Sequence, residues 1–319
     1  MDANCLTVGA QISDRIPTGL AGRVLLKTSE SLYWKTTQND ILLLHDARYG
    51  FIPFGLGIKD AGKLLAAADF PPGAEIVFSN GALKAGITEL SLNLKLAQTQ
   101  SNLVIRSPKQ PAGIDLDVLR RYGAAHGNGG GMSELLGYVG QICGRQCCVM
   151  YQNFPGIFVR KAIPALTIFI EAIQRDDREG MQCGFSRISG LGPGLTPSGD
   201  DVLLGMTAAY MSARQAGIVV PPGAWYLPEL ILEQDGTDTS GVSGAYLCAA
   251  AKKGHFSLLD GVLSRMLDAG VTDSWEPRLK ELTAIGSSSG TDILIGMVLA
   301  FETMADKSGH EGKGEDKVD

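Results

Sequence analysis

No stretch of the chain approaches the roughly 18 consecutive apolar residues that a membrane span requires. Nor is there a surplus of positive charge. The 28 Lys and Arg stand against 34 Asp and Glu, a net charge of −6, and a nucleic-acid surface needs clustered basic residues. The basic pairs Arg120-Arg121 and Lys252-Lys253 read as solvated helix faces. Cysteine is scarce and irregularly spaced (Cys5, Cys143, Cys147, Cys148, Cys183, Cys248), which excludes a disulfide framework and leaves no paired zinc spacing. Cys143-x-x-x-Cys147-Cys148 therefore reads as structural. The start, MDANCLTVGAQISDRIPTGL, lacks the basic residues and apolar stretch of a secretory signal. These absences predict a reduced, cytoplasmic protein with neither membrane nor nucleic acid among its partners.

What the chain does have is length, apolar residues and glycine. Its 319 residues exceed one ordinary domain, 45% of them are hydrophobic, and 41 are glycine. The glycines fall in clusters between apolar runs, where turns and close backbone approaches use them. The first hundred residues read as β: Val24 to Leu26, Leu32 to Thr36, Ile41 to Leu44, Ala74 to Phe78 and Ala82 to Ile87. Ser79-Asn80-Gly81 between the last two is a hairpin signal. Gly50 to Gly55 is irregular around Pro53, and a short helix is expected at Ala61 to Ala68. The prediction is a small antiparallel sheet or barrel over residues 1–107.

From residue 108 the pattern is helical: Ile114 to Ala125, Ser133 to Ile142, Val159 to Arg175 with Pro164 near its start, Asp200 to Ala216, Gly244 to Ala251, Ser257 to Ala269 and Thr291 to Met304. The expected fold class is α+β, an N-terminal small antiparallel β domain followed by a mainly helical domain over 108–305. The polar stretch 306–319 is expected to be disordered.

Two segments 91 positions apart repeat each other. Ser198-Gly-Asp-Asp-Val-Leu-Leu-Gly-Met206 aligns with Ser289-Gly-Thr-Asp-Ile-Leu-Ile-Gly-Met297, identical at six of nine positions. In each, Ser stands three residues before Asp and an apolar run follows, the form of a capping box. The first N–H groups of a helix lack intrahelical partners, and the helix dipole places about half a positive charge there. Gly205 and Gly296, each costing about 1 kcal/mol against Ala in a helix interior, imply backbones that cross closely. The repeat predicts two buried helices packed together, their starts adjacent, about a pseudo-two-fold axis.

The first copy is preceded by Gly190-Leu-Gly-Pro-Gly-Leu-Thr-Pro197, a shaped loop feeding a helix start. N–H groups, the dipole and the Thr196 and Ser198 hydroxyls describe an anion site. Gly192, Gly194, Thr196, Ser198, Gly199, Ser289, Gly290 and Asp292 are its candidate ligand-binding residues, and Ser198, Asp200 and Asp201 its candidate catalytic ones. Asp200 and Asp201 would repel an anion unless Mg²⁺ bridges them, which makes them the candidate metal ligands. The alternative reading makes the serines and aspartates helix caps and the glycines turns. Thr237 to Ser243 is a further cap that could line the same pocket. Gly127 to Gly131, after His126, lacks the ending of a P-loop and reads as a linker. His45, His126 and His255 show no nucleophile arrangement and read as packing or turn residues.

The ten residues Gly192 to Asp201, GPGLTPSGDD, match the signature of a bacterial family and so resemble the AllH family, whose named member is a proposed subunit of oxamate carbamoyltransferase in anaerobic allantoin degradation. The resemblance extends to the β-rich start, to Thr239 to Phe256 and to the closing helix. It implies phosphorolysis of oxalurate, or a related ureido compound, to oxamate and carbamoyl phosphate. It also implies companion subunits, including an FdrA-like protein. The Ser-Thr-Arg-Thr loop of well-known transcarbamylases is absent, so the resemblance carries over no catalytic residue. Two other functions remain open at this point: a stand-alone Mg²⁺-dependent hydrolase with ADP-ribosylglycohydrolase-like carboxylates, and a non-catalytic ligand-binding or assembly module.

Overall fold

The computed structural model describes residues 1–13, 19–95, 97–99, 103–109, 116–144, 156–234, 239–252 and 254–305. The tail 306–319, Cys147, Cys148, Thr237, Asp238 and the helix start expected at Ile114 lie outside them. The chain divides into two compact units, Met1–Leu103 with Gly254–Asp260, and Val104–Lys253 with Gly261–Asp319.

The first unit holds nine strands: β1 (Asp2–Val8), β2 (Leu20–Lys27), β3 (Ser31–Thr36), β4 (Ile41–Asp46), β5 (Gly55–Ile58), β6 (Glu75–Ser79), β7 (Ala82–Ala85), β8 (Thr88–Asn93) and β9 (Gln98–Thr99). They do not make the small antiparallel domain expected from the sequence. The sheet runs β5-β4-β3-β2-β6-β7-β8-β1, and β1 pairs again with β5. The eight strands thus close into a barrel, with β9 added beside β1. Two of its ladders, β1–β8 and β4–β5, are parallel, so the barrel is mixed.

Closure depends on β1, which hydrogen-bonds to β8 on one side and β5 on the other. Its Ala3 and Cys5 face inward by alternation, and a register irregularity between Cys5 and Thr7 makes Val8 the next inward residue. The interior is filled by Leu32, Trp34, Leu42, Leu44, Phe70 and Phe78 with their neighbours, as the narrow lumen of an eight-stranded barrel allows. The Asn80-Gly81 hairpin joins β6 to β7 with both residues left-handed, φ 49° and 74°, the backbone of a type I′ turn. The helix α1 (Ala61–Ala67) follows β5.

The second unit is helical among its described residues: α2 (Leu116–His126), α3 (Val139–Ile142), α4 (Ile157–Arg175), α5 (Arg178–Ile188), α6 (Ser198–Gln215), α7 (Tyr226–Glu233), α8 (Gly241–Ala251), α10 (Trp275–Thr283) and α11 (Ser289–Ala305), with α9 (Ser257–Leu267) beginning in the first unit. Three of these, α5, α7 and α10, have no counterpart in the sequence reading. Pro164 lies inside α4 rather than near its start, because the helix begins at Ile157. Arg120 is no solvated face: it pairs with Glu302, which is buried in α11. No helix among the described residues is long and apolar enough to cross a membrane.

The helices α6 and α11 are buried nearly all round and pack on each other along their length. A methyl at Gly205 would overlap the Ile293 carbonyl, and one at Gly296 the Val202 carbonyl. Those two contacts are the same contact seen from either repeat. The hairpins α5–α6 and α10–α11 extend the relation, since Gly199 abuts the Ile188 carbonyl as Gly290 abuts that of Leu282.

Candidate functional site

The two repeated starts meet at this crossing, but their serines do not cap their own helices. Pro197 holds the N-cap position of α6 and no side chain caps it. The polar groups are exchanged between helices instead. Asp201 of α6 lies beside the hydroxyls of Ser289 of α11 and of Thr196, while Asp292 of α11 lies beside those of Ser198 of α6 and of Ser288. Thr196 Oγ1 and Ser289 Oγ are 3.0 Å apart. The capping box expected at α6 does not form: these hydroxyl–carboxylate contacts run between the repeats and satisfy no N–H of that helix start.

Both carboxylates are buried, Asp201 at 3% exposure and Asp292 at 0%. Asp292 Oδ1 accepts from the Met132 N–H at 2.7 Å. The Oδ2 atoms of Asp201 and of Asp292 are each buried without a hydrogen-bond donor. An unmet buried acceptor costs about 1–3 kcal/mol, more when charged. Burial pushes the Asp201 carboxyl well above the usual carboxylate range, with the Asp292 and Asp200 charges adding to the rise against the Ser289 and Thr196 hydroxyls. Burial raises Asp292 too, opposed by the Met132 N–H and by Ser198 and Ser288.

Asp200 is used differently. Its Oδ1 accepts from the Gly190 N–H at 2.8 Å and from Ser189 Oγ at 3.3 Å. Its Oδ2 accepts from Ser243 Oγ at 2.7 Å and from Thr239 Oγ1. With four donors on it, Asp200 has no lone pair left for a cation. The expected Mg²⁺ bridge between Asp200 and Asp201 does not fit this arrangement. Among the described residues no group of three or more His, Cys, Asp and Glu is placed to hold a metal.

The helix-start N–H groups expected to hold an anion are also largely engaged. Gly199 donates to the Leu191 carbonyl, and Asp200 and Asp201 donate to that of Pro197. Gly290 donates to Ile285 and Asp292 to Ser288. Gly199 and Gly290 serve close packing, and the loop before α6 is what remains open. There Gly192 and Gly194 have φ of 121° and 102°, and a side chain at Gly194 would meet nothing within 4 Å. Ser240 ties this loop down by donating to the Leu195 carbonyl while capping α8 through the Ser243 N–H.

Sequence reasoning did not place Gly127 to Gly131 here. Asn128 donates its backbone N–H to Thr291 Oγ1 at 3.0 Å and its side-chain amide to the Thr283 carbonyl at 3.1 Å. A Cβ on Gly131 would strike Asp292 and Ser288. The segment is not a linker but the cover of the α11 start; its glycines were visible, its address was not. The histidines lie elsewhere. His45 is buried in the first unit, where burial pushes it down to about 4, opposed by its Asp46 carbonyl contact. His255 Nδ1 lies 3.5 Å from Asp260, and the His126 ring packs 4.8 Å from that of Tyr122. Cys143 is buried and in no disulfide.

A raised carboxyl pKa has a definite stability sign. The native state holds protons that the unfolded chain releases near pH 4, so this contribution is full below that pH and is lost as pH rises through the raised values. Asp201→Asn removes the loss. Its melting temperature at pH 8 is expected to exceed wild type by about 2–4 °C, the two converging toward pH 4. Melting curves across that range check this, and a variant that melts lower at pH 8 contradicts it.

A closed mixed barrel together with a helical unit whose two repeated starts exchange hydroxyl–carboxylate contacts defines a protein with one pseudo-symmetric polar centre. Residues 188–301, roughly a third of the chain and the part that contains this centre, match the family model described as oxamate carbamoyltransferase subunit AllH. Comparison with the curated proteins gives no significant match, and neither does comparison with the solved structures.

Proposed function

We propose that the chain is a ligand-holding subunit of a carbamoyl-transfer complex, acting on oxamate, oxalurate or a related ureido compound. The observation that carries this reading is the pair of buried, donor-less carboxylate oxygens at the crossing of α6 and α11. They lie inside the segment that matches a carbamoyltransferase-subunit family. In this reading the open loop Gly192 to Thr196 receives the carboxylate or phosphate end of the ligand, and the Thr196, Ser198 and Ser289 hydroxyls orient the two carboxylates. Asp201 and Asp292 face its carbamoyl end. Asp200 acts through the loop, as a positioning residue. The word subunit in the family's description supports companion proteins, and an FdrA-like chain is the proposed one.

Preorganised polar groups of this kind supply much of the rate in acyl and phosphoryl transfer. Thermal melts of the full chain with carbamoyl phosphate, phosphate, oxamate and oxalurate test the reading. A ligand at 100 times its Kd adds about 2.7 kcal/mol, and Ser289→Ala is expected to remove most of that shift. No shift with any of the four, alone or with companion subunits present, overturns it.

A further inference from the structure

We infer that Gly127 to Gly131 is a strap that closes over Asp292 and lifts off it, so that water and small solutes reach this carboxylate only while the strap is open. The segment lies flat on the start of α11. A Cβ on Gly127 would strike Thr291, and one on Gly131 would strike Asp292 Oδ2 and Ser288. The strap's own backbone therefore covers the Asp292 oxygen that has no donor. Between these contacts the strap stands clear. Gly129 and Gly130 are exposed, a side chain at either would meet nothing within 4 Å, and Gly130 has a φ of 104°.

Both ends of the strap are anchored. The Gly127 N–H donates to the Gly123 carbonyl at 2.9 Å at the close of α2, and the Met132 carbonyl accepts from the Leu135 N–H at 2.8 Å. Met132 is itself buried and serves as the downstream pivot. Asn128 is the latch, its backbone N–H on Thr291 Oγ1 and its side-chain amide on the Thr283 carbonyl. The Met132 N–H on Asp292 Oδ1 completes the closure. These bonds are modest in net terms, because water replaces them when they break. Against them stands the unmet Oδ2, which gains a donor when water enters, and three consecutive glycines regain backbone freedom. The open state thus lies close to the closed one while α2 and α11 stay folded, which is local rather than global opening. This gate acts on Asp292 whatever ligand the centre takes.

Hydrogen exchange of the full chain, read amide by amide by mass spectrometry, tests the gate. The Met132 N–H is expected to exchange at least about a hundredfold faster than the interior amides of α11, at a rate that low urea does not change. Asn128→Ala and Asn128→Asp remove the latch, the second by placing an acceptor against the Thr283 carbonyl. Each is expected to speed Met132 exchange about tenfold and leave the α11 interior within about twofold of wild type. Coupling of an amine to Asp292 by a water-soluble carbodiimide should accelerate in the same two variants. Met132 exchange as slow as that of the α11 interior overturns the gate. So does a latch variant that speeds both equally, which marks Asn128 as structural only, or Asp292 coupling that neither variant changes. None of these failures touches the Gly192 to Thr196 loop, so the proposed ligand site would stand without the gate.

Discussion

Replacing Gly205 by alanine is expected to lower the stability of the helical unit by about 3 kcal/mol, the upper end of what overpacking costs, and Gly296→Ala by a similar amount. In each case the added methyl is aimed at backbone rather than at a side chain that could rotate. At Gly205 it meets the Ile293 carbonyl and the Met297 N–H, and at Gly296 the Val202 carbonyl and the Met206 N–H. Relief therefore requires two whole helices to move apart, and both are buried on almost every side. Helix propensity works the other way, since alanine is about 1 kcal/mol better than glycine in a free helix. A net loss thus measures the crossing itself. Gly129→Ala is the control, because its methyl would meet nothing within 4 Å and its φ is ordinary; it is expected to be neutral or slightly stabilising. Urea melts report all three, and a Gly205→Ala midpoint equal to wild type would mean that the helices do not cross this closely. The double variant should lose less than the sum of the two, because one separation relieves both clashes.

That crossing could be read in the sequence because it is written twice. Two glycines at the same place in two apolar runs carry a meaning that one glycine does not. The exchange of hydroxyl–carboxylate contacts between the repeats was out of reach for a physical reason. A Ser three residues before an Asp looks the same whether the bond closes within one helix or across two, and only the approach of α6 to α11 decides which. Likewise Asp200 and Asp201 are adjacent in sequence yet face different partners, Asp200 the start of α8 and Asp201 the start of α11, because neighbours on a helix point about 100° apart. Gly127 to Gly131 showed its flexibility but not the Thr291 and Asp292 groups that immobilise it. In the barrel, local hairpins such as Asn80-Gly81 were legible, while closure was not. It rests on β1 pairing with β8 and β5, contacts between distant segments that leave no local turn signal.

The second large effect is expected at Asp200. Asp200→Ala should cost about 3 kcal/mol or more, since removing one member of a buried hydrogen-bonded network leaves its partners unsatisfied. The Gly190 N–H and the Ser189, Thr239 and Ser243 hydroxyls all lose their acceptor at once. Three separate segments meet on this carboxylate: the end of the α5 turn, the start of α6 and the start of α8. Asp200→Asn separates charge from connectivity. Its remaining oxygen can face the Gly190 N–H, and the Thr239 and Ser243 hydroxyls can turn to accept from its amide, so less than half the loss is expected. Because Gly190 opens the Gly192 to Pro197 loop, Asp200→Ala should also expose that loop to proteolysis under conditions where the barrel unit is still folded. Limited digestion followed by mass spectrometry locates the cut. Cleavage near residues 192–197 in Asp200→Ala but not in Asp200→Asn would identify the carboxylate as the clamp that shapes the ligand loop. An Asp200→Ala protein as stable and as resistant as wild type would show that the loop holds its form without it.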